Sequence, residues 1–83
     1  MARTRYTSKR AYIYVGIRID TGKRELFRWA GTPARETHGH IYAAAIGPFR
    51  TVRGARFMVE RGANNPHVQH VRDAERIAKE LDY

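Results

Sequence analysis

The 83 residues suffice for one domain with a modest core, and the absence of cysteine excludes disulfides and thiolate metal clusters. Sixteen basic against eight acidic residues leave a formal charge of +8, which favours polyanionic partners and disfavours cationic surfaces. No apolar run approaches the roughly 18 residues a membrane span requires, and no membrane partner is expected.

Residues 1–10, MARTRYTSKR, carry Arg3, Arg5, Lys9 and Arg10 without any hydrophobic period. They read as a flexible basic arm suited to phosphate contacts. The apolar stretch that follows is too short and too charged for a secretory leader, so the expected compartment is the cytoplasm. Residues 11–83 read as a single small α+β domain.

Residues 11–19 alternate as a strand does, with Ile13, Val15, Ile17 and Ile19 on one side and Tyr12, Tyr14, Gly16 and Arg18 on the other. Asp20-Thr21-Gly22-Lys23 signals a turn, because glycine supplies the positive φ of a tight reversal. Residues 24–30, RELFRWA, read as the return strand. Phe27 and Trp29 are expected to join Ile13, Val15 and Ile17 in the core. Arg24 and Arg28 would then lie beside Tyr12, Tyr14 and Arg18 on a polar face.

Residues 31–39 form a connection in which Pro33 and its flanking glycines stop the ladder. This polar loop carries Thr32, Arg35, Thr37 and His38. Residues 40–46, HIYAAAI, read as a third strand closed by Gly47-Pro48. A helix is expected over 51–61, with Thr51 as N-cap and Val52, Ala55, Met58 and Val59 facing inward. Its outer face would carry Arg50, Arg53, Phe57, Glu60 and Arg61. Gly54 costs such a helix about 1 kcal/mol against alanine, unless close approach to another element requires it. Residues 67–71, HVQHV, are either a fourth, edge strand or a linker. Asp73 would cap a last helix with Ala74, Ile77, Ala78 and Leu81 inward. The expected order is β-β-β-α-(β)-α, a three-stranded or four-stranded, mostly antiparallel sheet with two helices chiefly on one face.

The strongest candidate site is the polar sheet face, where Tyr12 and Tyr14 would alternate with Arg18, Arg24 and Arg28. Aromatic rings stack on bases, and guanidinium groups reach phosphates or guanine edges. Arg35 adds a loop contact. Arg50 and Arg53 beside the helix start at Thr51 could hold a phosphate against free N–H groups. His38 with His40, and His67 with His70, have spacings that zinc accepts, but nothing in the sequence brings the pairs together. No metal or cofactor is expected, and no nucleophile–base pattern suggests an enzyme.

Three strands followed by a helix, with Gly47, Phe49 and Thr51 leading into that helix, resemble small DNA-binding domains of the integrase N-terminal type and of the plant type with the same layout. The similarity spans about residues 12–61 and is one of element order. It implies a sheet lying in the major groove and a helix backing it. The charge and the polar sheet face make the expected function non-enzymatic nucleic-acid binding, with DNA slightly favoured over RNA. The alternative is a small inhibitor or adaptor that docks an acidic protein, with Tyr14 and Trp29 as anchors. A homodimer through an open sheet edge is compatible with either.

Overall fold

The computed structural model describes residues 11–83; Arg3, Arg5, Lys9 and Arg10 lie outside the described residues. Strands Tyr12–Arg18 (β1) and Arg24–Trp29 (β2) pair antiparallel. The connection beyond β2 contains one helical turn, Arg35–His38 (α1). Strand Tyr42–Phe49 (β3) then pairs antiparallel with the free side of β1, giving the order β2-β1-β3. Helices Val52–Arg61 (α2) and Val71–Glu80 (α3) complete an α+β domain of the expected class.

Both long helices cover the same side of the sheet. Ile13, Val15 and Phe49 meet Ala55, Phe57 and Met58 of α2, Ala74 and Ala78 of α3, and Val68. Burying a side chain of valine or isoleucine size contributes about 1.5–3 kcal/mol, so these few contacts dominate the stability of so small a chain. The alanines of α3 let the two helices approach closely. That approach also buries Phe57, which the helical pattern of α2 alone placed outside; its ring meets Tyr83 edge-on at 5.3 Å. Leu81, expected inward, is 62% exposed because α3 ends at Glu80.

Residues 67–71 do not form a strand. Asn65 turns the chain, with Val68 N–H donating to its carbonyl at 3.1 Å, and Val68 enters the core. Helix α3 starts two residues before Asp73, which instead reaches back from the first turn to accept from the N–H groups of Gln69 and His70, each at 3.1 Å. Thr51 caps α2 as expected, accepting from Gly54 N–H at 3.1 Å. β3 begins later than expected and continues through Gly47-Pro48 to Phe49, opposite Ile13. Proline is tolerated there because β3 is an edge strand and can leave a donor out on its open side.

The sheet faces differ from expectation. Tyr12 lies opposite Trp29, Tyr14 opposite Phe27, and Ile13 opposite Arg28. Opposed residues share a face, so Phe27 and Trp29 join the tyrosines, while Arg24 and Arg28 turn to the helix side. The turn sets this parity. Arg18 N–H donates to Lys23 C=O and Gly22 N–H to Arg18 C=O, both at 2.9 Å, with Gly22 at φ +73°. A register one residue different would have exchanged every side chain of β2 between faces.

Candidate nucleic-acid interface

The face opposite the long helices is aromatic, and the connection between β2 and β3 covers part of it. Tyr14 is 4% exposed; its ring stacks on Phe27 at 5.6 Å, and its hydroxyl donates to Gly31 C=O at 2.9 Å. Phe27 stacks on Tyr42 at 4.7 Å, and His38 of α1 closes over the group, 5.0 Å from Phe27 and edge-on to Trp29 at 4.7 Å. The Thr37 hydroxyl donates to Ala34 C=O at 3.1 Å and lies 2.8 Å from His38 Nδ1, which fixes the orientation of the imidazole. Tyr42 lies over Gly16, where a Cβ would stand 2.5 Å from its ring. Tyr14 is thus part of a second, aromatic core and presents no free ring. Its place as a base-stacking residue, and as a protein anchor, is corrected accordingly.

Among the described residues, two aromatics of this face are exposed. Tyr12 is 47% and Trp29 39% exposed, and they are directly opposed across β1 and β2. The sequence pattern assigned Trp29 to the core because the turn parity was unknown. The basic run of residues 1–10 ends two positions before Tyr12 in the chain.

The cations are distributed differently from the expected platform. Arg18 is on the tyrosine face, but Nε and Nη2 hold Asp20 at 2.9 Å each and Nη1 reaches Glu25 at 3.3 Å. Its charge is therefore met locally, and the same bonds hold the Asp20 carboxyl below the usual range. Glu25 also accepts from the Tyr42 hydroxyl at 2.6 Å. Burial, then this bond to a carboxylate, pushes the Tyr42 phenol up to about 12. Arg24, on the helix side, donates to Met58 C=O at 3.3 Å. Arg28 is on that side too, and it is exposed. The single Tyr/Arg face is thus replaced by an aromatic face that keeps Arg18, with Arg24 and Arg28 on the opposite side of the sheet.

At the start of α2 a carboxylate already stands where a phosphate was expected. Glu75 of α3 supplies it, accepting from Arg50 N–H, from Thr51 N–H at 3.2 Å and from the Thr51 hydroxyl at 2.6 Å, all just ahead of the helix. A Cβ on Gly54 would collide with that carboxylate, which explains a glycine inside a helix. Arg50 and Arg53 flank this filled position, Arg50 exposed and Arg53 half-buried. Arg35, Arg56 and Arg61 are also exposed, and with Arg28 and Arg50 they make no ion pair among the described residues. Arg56 was not singled out from the sequence; its exposure follows from the helix phase that buries Ala55 and Met58.

Among the described residues, no three His, Asp or Glu side chains come together to hold a metal ion. No helix among them is long and apolar enough to cross a membrane. Comparison with protein-family models, curated proteins and solved structures finds no match to this chain.

Proposed function

We propose that the chain is a small non-enzymatic nucleic-acid-binding protein of the cytoplasm, which stacks unpaired bases on Tyr12 and Trp29. The observation that carries this is the opposed, accessible Tyr12–Trp29 pair on the sheet face the long helices leave free, in a chain of charge +8. Base–aromatic stacking contributes about 1–3 kcal/mol per base and suits any sequence. Phosphate contacts come from the cations of residues 1–10 and from Arg28, which is exposed on the edge strand next to Trp29.

Stacking on a single strand is favoured over docking in a duplex groove. Reading guanine edges needs arginines on the inserted face, and the arginine that β1 places there, Arg18, is held by Asp20 and Glu25. DNA remains the first ligand to try, with RNA beside it. Gel shifts with single-stranded and duplex DNA and with RNA test the proposal. Single strands should be retained best, and Tyr12→Ala and Trp29→Ala should each weaken binding by about 1–3 kcal/mol. Equal retention of wild type and both variants would overturn it.

A further inference from the structure

The two edges of the sheet are unlike. β2 carries Arg24, Glu25 and Arg28, charges of the kind that discourage edge pairing. β3 carries none: over Tyr42-Ala43-Ala44-Ala45-Ile46 it is neutral, and all three alanines are exposed. Among the described residues, the main chain of Ala43–Ala45 makes no hydrogen bond beyond its pairing with β1. Beside this edge runs a groove of about 560 Å³, lined by the alanines and by Pro33, Arg35 and His38.

We propose that this groove takes an extended acidic peptide segment, which adds a fourth strand to β3 while a carboxylate of the peptide meets Arg35. Strand addition supplies partners to the open N–H and C=O groups, and the alanines leave room for the larger side chains of the incoming strand. Charge selects the occupant. No carboxylate lines the groove, and Arg35 is exposed and makes no ion pair among the described residues. A second copy of the chain would bring another +8 to the same edge. A nucleic acid has no peptide main chain to pair with β3. The site is separate from Tyr12 and Trp29, which lie at the start of β1 and the end of β2, whereas the alanines oppose the end of β1.

The test is a ¹⁵N-resolved NMR titration of the full chain with a synthetic peptide alternating valine and glutamate, beside its valine–lysine counterpart. The acidic peptide should give saturable shifts and slowed amide exchange at Ala43–Ala45. Arg35→Glu should weaken it about fivefold, the size of one exposed ion pair, while Arg72→Glu on α3 leaves it unchanged. Equal binding of the lysine peptide would overturn the proposal. So would absence of binding, shifts spread over the α2 arginines without protection of β3, or sedimentation showing copies already joined through β3.

Discussion

Glu75 and Thr51 join the two long helices: the Thr51 hydroxyl donates to Glu75 Oε1 at 2.6 Å while the same carboxylate accepts from the N–H groups of Arg50 and Thr51, just ahead of α2. Removing the carboxylate leaves those donors without their partner. Glu75→Ala should cost about 1–3 kcal/mol in a urea unfolding titration.

Gly54→Ala would raise helix propensity by about 1 kcal/mol in an isolated helix. In this chain it should destabilise, because its Cβ would displace Glu75. The two changes are coupled, so in the Glu75→Ala background the same alanine should become neutral or stabilising. A double-mutant cycle by urea unfolding reads this directly.

Gly16→Ala places a methyl against the Tyr42 ring on the aromatic face. The ring cannot lift without losing its stack on Phe27 and its bond to Glu25. Overpacking of this kind costs about 1–3 kcal/mol, which thermal unfolding followed by circular dichroism would show as a lowered Tm.

Tyr42 gives the fold an alkaline limit. Its folded pKa, about 12, lies above the ordinary phenol value of 10.0, so the neutral form is the stabilising one. That stability is complete below about pH 10 and is lost as pH rises through 10 to 12. Phenolate absorbance should show a step near pH 12 that Tyr42→Phe removes. Asp20 and Asp73 act at the other end. Bonds from Arg18 lower the first, and bonds from Gln69 N–H and then His70 N–H lower the second. Their contribution is present above the ordinary carboxyl pKa and disappears as pH falls through the lowered values, so Asp20→Asn and Asp73→Asn should each flatten the acid limb of a stability–pH curve.

The three strands and the two long helices were legible in the sequence; the helical turn α1 and the exact start of α3 were not. Alternation marked β1, turn residues marked the hairpin, and Thr51 marked the start of α2. The site was less so, because its composition hangs on a parity that no local pattern encodes. One residue of register in the Ile19–Lys23 turn decides whether Trp29 or Arg28 lies beside Tyr12. The contacts that cover Tyr14 and fill the α2 start are likewise long-range, from Gly31 and Glu75, and leave no trace in spacing. Phe57 was misplaced for the same reason, since only the approach of α3 gives α2 a second buried side.

The stacking role is tested most directly through Trp29, the one tryptophan of the chain. Its fluorescence can be followed while the protein is titrated with a single-stranded oligonucleotide and with an abasic strand of the same length and charge. If bases stack on the Tyr12–Trp29 pair, the strand with bases quenches Trp29 and binds more tightly. Both affinities fall steeply with salt, with a log–log slope near −0.7 for each phosphate neutralised. Equal affinity and unchanged emission with the two strands would contradict it.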